Sequence, residues 1–371
     1  MDVFKQYKMI GLMTGTSMDG LDLCASKITF FNQSINIDVI KNDYLEFPQK
    51  IKLDIENSLN LEKENVNKCH KTLGEFMAEK TYQFLKKNKI FNIDGVGMHG
   101  QTIQHISGVK SLQIGDPKYL FNKLNVPIIS NFRNLDIKSG GTGAPLVPFL
   151  DKILFQEDKN AVLCLNIGGI SNITYLPPLK TNDEIIGFDT GPGMSLIDEA
   201  SKIFFNKKFD KDGALSINGK AHLELVENWM NDKFITSSYP KSTGRKEFGL
   251  RWLKKNMNIL NKIEKKDILP TLALFTSSSI IYNCKNFTNY NKLKKIIVSG
   301  GGIYNQAIMR NLKKDFKDIL FYRCENFGID SDSKEALCFA LLGAAFLNNI
   351  PSNIPSVTGA RESIVLGEIT K

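Results

Sequence analysis

Three glycine-bearing loops, each placed directly after a short apolar run, constrain this chain more than any other feature. Residues 9–13 lead into GTSMDG at 15–20, residues 184–188 into DTGPG at 189–193, and residues 296–298 into SGGG at 299–302. Glycine lets backbone N–H groups approach phosphate oxygens, and the hydroxyls of Thr16 and Ser17 add donors. A strand that ends in such a loop, repeated three times, points to a nucleotide-binding α/β chain. Taken singly the signals are weak, and GTSMDG alone reads equally well as an Asp-Gly hairpin turn.

The periodicity around the loops supports this class. Residues 9–13, 21–30 and 35–39 read as a β-meander, with Ile35, Ile37 and Val39 alternating at period two. Val66, Cys69, Leu73, Phe76, Met77, Phe84 and Leu85 then recur at helical spacing. The second half opens in the same way. AVLCLNIGGISNITYLP at 161–177 is strand, glycine turn (Gly168, Gly169) and strand, and EIIGFDTGPG at 184–193 is a strand and a tight loop. A helix is expected over 194–205, its N-terminus an anion site, and another from about Asn305. Two hairpin-first modules imply a duplicated α/β fold of two lobes with a nucleotide in the cleft between them. The expected lobes are 1–136 with 351–371, and 137–350. The Gly- and Pro-rich loop at 138–148 is the expected hinge.

Other chemistries find little support. No GxxxxGK[ST], no GxGxxG and no protein-kinase motif set occurs. The six cysteines form no CxxC pair, and the four histidines have no zinc spacing. The net charge of +9 is spread along the chain without an aromatic-and-basic motif, so no nucleic-acid partner is expected. No apolar stretch reaches bilayer length and no secretory signal is apparent at the N-terminus, so the expectation is a cytoplasmic protein with no membrane partner.

The letters themselves go further. GTSMDGLD, DTGPG and SGGG resemble the two phosphate motifs and the adenosine motif of the actin/Hsp70/hexokinase superfamily. The segments GMHGQTIQH, LQIGDP, SNFRNLDIKSGGTGAPLVP, LNIGGISNIT, PKSTGRKEF, DSKEALCFALL and PSNIPSVTGAR resemble, in order, those of the anhydro-N-acetylmuramic acid kinase family. The resemblance implies a duplicated ribonuclease H-like fold, a homodimer, and a reaction using ATP and Mg²⁺. In that reaction 1,6-anhydro-N-acetylmuramic acid is opened by water and phosphorylated to N-acetylmuramic acid 6-phosphate, in peptidoglycan recycling.

By the same resemblance Asp189 is the base that activates water, and Glu335 helps to hold sugar and water. Gly15, Thr16, Ser17, Met18, Asp19, Gly20, Leu21 and Asp22 form an ATP-binding stretch. Gly168, Gly169, Gly191, Gly193, Gly300, Gly301 and Gly302 complete the nucleotide contacts. Asp19 reaches the metal, directly or through water, and His99, Gln101 and Arg133 are candidates for the sugar. Asn131, Met194 and Met98 depart from the family letters. For Asp189 a Mg²⁺-linked role competes with that of base, and Glu335 reads equally as an exposed residue favoured by a helix N-terminus. Two other functions fit the superfamily: a sugar or carboxylate kinase without hydrolysis, and a nucleotide-gated binding protein.

Overall fold

A computed structural model describes residues 4–15, 17–32 and 34–371. They form two compact units, one running to Ile153 and resuming over Gly328–Lys371, the other Leu154–Phe327.

In the first unit β1 (Phe4–Met13), β2 (Gly20–Phe31) and β3 (Ser34–Glu46) make the expected antiparallel meander. Alternation in β3 leaves Ile35, Ile37 and Val39 half-buried, as befits an edge strand covered on one face. Next, β4 (Gly95–Met98) pairs parallel to β1. The strands β5 (Gln101–Ile106) and β6 (Lys110–Ile114) form a separate hairpin. Then β7 (Ile128–Ser130) pairs parallel to β4, and Glu368–Thr370 closes the edge. The helix Lys63–Lys87 buries Cys69, Leu73, Met77 and Phe84, the stripe expected from its spacing.

A second helix, Lys334–Leu347, is buried almost all round and lies on β1 and β4. Glycine makes that approach possible. A Cβ on Gly11 would stand 1.8 Å from the carbonyl oxygen of Ala336, and one on Gly97 1.8 Å from that of Phe339. Helix and sheet therefore meet backbone to backbone, which fixes the height of the helix's first turn above the sheet.

The second unit repeats the plan. Strands β8 (Ala161–Ile167), β9 (Ile170–Leu176) and β10 (Ile186–Pro192) are antiparallel. The strand β11 (Leu293–Ser299) runs parallel to β8, and β12 (Leu320–Arg323) parallel to β11. Leu163, Leu165, Phe188, Leu196, Leu272 and Phe275 are in its core, with helices Ser195–Phe205 and Lys265–Phe287 supplying the covering residues. The two main sheets have the orders β3-β2-β1-β4-β7, with Glu368–Thr370 added antiparallel beyond β7, and β10-β9-β8-β11-β12; the common part is five strands. In each sheet that part is three antiparallel strands followed by two parallel ones, so the chain is a duplicated ribonuclease H-like α/β fold.

Two expectations change. The units divide at 153/154 and 327/328, not at 136/137 and 350/351. The physical reason is the glycine-mediated seat of Lys334–Leu347 on the first sheet, which ties that helix to the first unit. The loop at 138–148 is strapped down and lies within one unit, so it is not the hinge. Fully buried Asp136 accepts from Gly143 N at 2.8 Å, Asn353 Nδ2 at 3.1 Å and Thr358 Oγ1 at 2.8 Å. Thr142 N donates to Thr358 O at 2.8 Å, and Arg361 N to Ser139 O at 2.9 Å. All six cysteines are buried and none is in a disulfide. Among the described residues no helix is long and apolar enough to cross a membrane.

Candidate active site

In the first unit the β1–β2 turn carries the first glycine loop. Its backbone is shaped by a bond from Met18 N to Gly15 O at 3.2 Å and by Met18 in the left-handed region, φ 55°. Ser17 Oγ donates to Asp19 Oδ1 at 2.6 Å. Gln101 is fully buried and its Nε2 donates to Gly15 O at 3.1 Å, while Thr14 Oγ1 donates to Gly100 O at 2.8 Å. Gln101 therefore braces the 15–20 turn, and its fully buried side chain is spent on backbone. Thr16 lies outside the described residues.

His99 is also buried. Its Nε2 accepts from Arg133 Nε at 3.0 Å, so the proton belongs on Nδ1, which has no partner. Burial holds its pKa well below the ordinary value, with Arg133 adding to the effect. Arg133 is half-buried and also donates from Nη1 to Gly143 O at 2.9 Å, so two of its three nitrogens serve the protein. Two of the departures from family letters have a local setting. Met98 fills the core, and Asn131 adopts φ 55° while its Oδ1 accepts from Asn134 Nδ2 at 2.5 Å.

Carboxylates gather beside this loop. Burial raises the Asp22 pKa to about 7, followed by the charges of Glu335, Asp19, Asp332 and Asp330. Glu335 occupies the first turn of Lys334–Leu347, where its side chain is reachable by solvent although surrounded by protein. That crowding raises its pKa, while Arg133 and Lys334 oppose the rise. Next to it Lys334 Nζ pairs with Asp151 Oδ1 at 2.5 Å, both side chains buried. Among the described residues no group of three or more His, Cys, Asp or Glu is arranged to hold a metal by itself.

In the second unit Asp189 lies on β10, where a bulge between Asp189 and Gly191 interrupts pairing with β9. Thr243 N donates to its Oδ2 at 2.9 Å, and its own N donates to Lys241 O at 3.2 Å. Burial raises its pKa to about 6, with the Thr243 bond acting in the opposite direction. The group is thus mostly ionised near neutrality and a competent proton acceptor there.

A cavity of about 640 Å³ in the same unit is lined by Gly168, Gly169, Gly301, Tyr304, Arg245 and six further ionic side chains of the 198–212 segment, three of them aspartates and three lysines, among them Lys208 and Lys211. Of the triple glycine only Gly301 faces open space. Gly300, at φ 81°, and Gly302 instead pass against Asn166 and Ile167 of β8, where a Cβ would stand 2.5 Å and 2.2 Å from its nearest atom. Gly193 is likewise closed, its Cβ position 2.2 Å from Gly168 O, and Gly191 meets Ser279. These four glycines shape backbone; Gly168, Gly169 and Gly301 line the space.

The expected anion site at the Ser195–Phe205 N-terminus is closed too. Gly193 N and Ser195 N donate to Gly169 O, both at 3.0 Å, and Met194 N to Gly168 O at 2.8 Å. Ser195 N, the first donor of that helix, and the two amides before it are engaged by the β8–β9 turn. Arg245 was not among the expected site residues. It lies across Gly169, where a Cβ would come within 2.7 Å of Nε, and it is the arginine of PKSTGRKEF. A lone cation next to a glycine-bearing segment was the signal available for it.

Residues 7–371 match the family described as anhydro-N-acetylmuramic acid kinase. An anhydro-N-acetylmuramic acid kinase of Bacillus cereus (strain AH187) is 36% identical over 375 residues, covering 97% of this chain and 98% of that protein. Its counterpart in Clostridioides difficile (strain 630) is 36% identical over 374 residues, covering 97% of both. Among solved structures, a ROK hexokinase from Thermus thermophilus aligns with 91% of this chain and 99% of its own, at 12% identity and a TM-score of 0.36.

Proposed function

The chain belongs to the anhydro-N-acetylmuramic acid kinase family over nearly its whole length, and from that premise we propose how its own residues divide the work. The activity is the ATP-dependent opening and phosphorylation of 1,6-anhydro-N-acetylmuramic acid to N-acetylmuramic acid 6-phosphate, in peptidoglycan recycling. We extend the family reading to a homodimer resident in the cytoplasm.

Asp189 is the base. Water attacking the anomeric carbon must lose a proton, as in an inverting glycosidase, and a carboxylate with a pKa of about 6 takes it. The bond from that carbon to the bridging oxygen breaks, and the freed O6 takes the γ-phosphoryl group as ADP leaves. The phosphoryl group thus plays the part that a protonated acid plays in a glycosidase. The observation that carries this assignment is the single hydrogen bond from Thr243 N, which aims a half-buried carboxylate without neutralising it.

The remaining groups bind. The cavity at Gly168, Gly169 and Gly301 takes the nucleotide, with Arg245, Lys208 and Lys211 opposing its charge. The loop 15–22 contacts phosphate, and Glu335 with Arg133 holds the sugar. Mg²⁺ fits beside the loop. Asp22 carries a pKa of about 7 through burial first and then through the carboxylates around it, and a cation relieves that repulsion. With no cage of three protein ligands among the described residues, the ion would be held by Asp19 or Asp22 together with nucleotide phosphates. When bound it neutralises charge on the transferring group.

The test is turnover in ¹⁸O-labelled water. Label is expected at the anomeric hydroxyl of the phosphorylated product; product formed without it would mean transfer uncoupled from hydrolysis. ADP release that responds equally to glucose, glucosamine or acetate would favour the simpler kinase.

A further inference from the structure

Lys241 is held in an unusual way. Its Nζ donates to the carbonyl oxygens of Phe234, Ile235 and Ser237 at 3.0, 2.9 and 2.8 Å. An ammonium has three donors, so the set is filled. The rings of Phe188, Phe234 and Phe287 stand 5.5, 5.1 and 5.0 Å from the same nitrogen, within the range of cation–π attraction. Burial alone accounts for its pKa of about 8, and no carboxylate contributes. A cation with every N–H directed at backbone has none left for a phosphate or a sugar hydroxyl.

The segment that this cage anchors is the one that brackets Asp189. Lys241 O accepts from Asp189 N at 3.2 Å, and two residues on Thr243 N donates to Asp189 Oδ2 at 2.9 Å. Tyr239 stacks on Phe188, the neighbour of Asp189, with ring centroids 5.5 Å apart. One bond fixes the backbone of Asp189 and the other fixes its carboxylate. Both come from chain whose position is set by the Lys241 ammonium.

We propose that Lys241 is a positioning residue for the reaction: its caged ammonium holds the 241–243 backbone so that Thr243 N–H aims the Asp189 carboxylate at the attacking water. The proposal rests on the reading of Asp189 as base. Burial and the Thr243 bond are the two influences on that carboxyl's ionisation, and no other charged group contributes. Loosening the segment removes the only one that favours the charged form.

The experiment compares the full-length wild type with Lys241→Met and Lys241→Arg. kcat and KM for both substrates are measured from pH 5 to 9, with urea unfolding alongside. For Lys241→Met the acid limb of kcat is expected to move up by about one pH unit, with kcat down roughly 10-fold at pH 5 and about twofold at pH 7. KM for ATP should stay within about twofold, and Lys241→Arg should return the limb toward its wild-type position. A limb unmoved in Lys241→Met, or a rate loss matched by lost folded protein, overturns the role of Lys241 alone. A wild-type profile flat through pH 6 removes the Asp189 assignment and this proposal with it.

Discussion

Replacing Asp189 with asparagine should damage catalysis and strengthen the fold at once. Burial lifts this carboxyl from an ordinary 3.8 to about 6 in the folded protein. A raised carboxyl pKa means that the folded state prefers the proton. Stability is then unaffected below the unfolded value, falls as pH climbs through the interval, and stays reduced above the folded value. A rise of this size corresponds to about 3 kcal/mol at neutral pH. Asparagine carries no charge to desolvate, and its Oδ1 can still accept from Thr243 N. Urea unfolding at pH 7.5 should therefore show the variant more stable by up to about 3 kcal/mol. The gap should close toward pH 4, where the native carboxyl is itself protonated. Turnover at pH 7.5 should drop about 10²- to 10⁴-fold with nucleotide affinity kept. A variant equally or less stable at pH 7.5, or a gap that ignores pH, would refute the account of a desolvated base; lost ATP binding with chemistry intact would reassign the residue to the metal.

Three further outcomes follow from the first unit. Glu335→Ala should raise KM for the anhydro sugar about 10-fold, the worth of a charge-assisted hydrogen bond, and unchanged kinetics would leave Glu335 as an exposed residue of a helix start. Gly97→Ala puts a methyl carbon 1.8 Å from Phe339 O, so urea unfolding should show a loss of about 3 kcal/mol or more; a neutral result would mean that the helix is free to lift. Because Asp22 titrates near 7, protons should compete with Mg²⁺, and the half-activating Mg²⁺ concentration should rise about tenfold per pH unit below 7. Asp22→Asn should need more Mg²⁺ at every pH and lose that slope; a wild-type requirement independent of pH would dissociate Asp22 from the metal.

Much of the architecture was legible because period-two and helical patterns are local. Ile35, Ile37 and Val39 marked a strand of the meander, Cys69, Leu73 and Met77 a helix face, and the second hairpin-first segment announced the duplication. The unit boundaries were not legible, because they depend on Gly11 and Gly97 accepting a distant helix, and nothing near residue 334 states which sheet it joins. Site residues divided along the same line. Asp189 was visible in its motif, yet its bond to Thr243 joins segments far apart in sequence. Gln101, His99, Gly300 and Gly302 stand in or beside motif loops but face inward, and one-dimensional reading cannot separate a loop's lining from its bracing. Arg245 and Lys241 lie in a segment whose value becomes apparent only once β10 runs beside it.

The seat of Lys334–Leu347 on two glycines also limits how the proposed sugar-binding end of the site can adapt. Where helices rest on sheets through interleaved side chains, rotamer changes let them slip by fractions of a turn. Here carbonyl groups bear directly on strand backbone, so there is no compliant layer to shear. Glu335 inherits the stiffness of the sheet beneath it. Fitting a differently shaped ligand must therefore come from its own torsions or from the 15–20 turn, and selection for new specificity in this unit should act there and spare the helix.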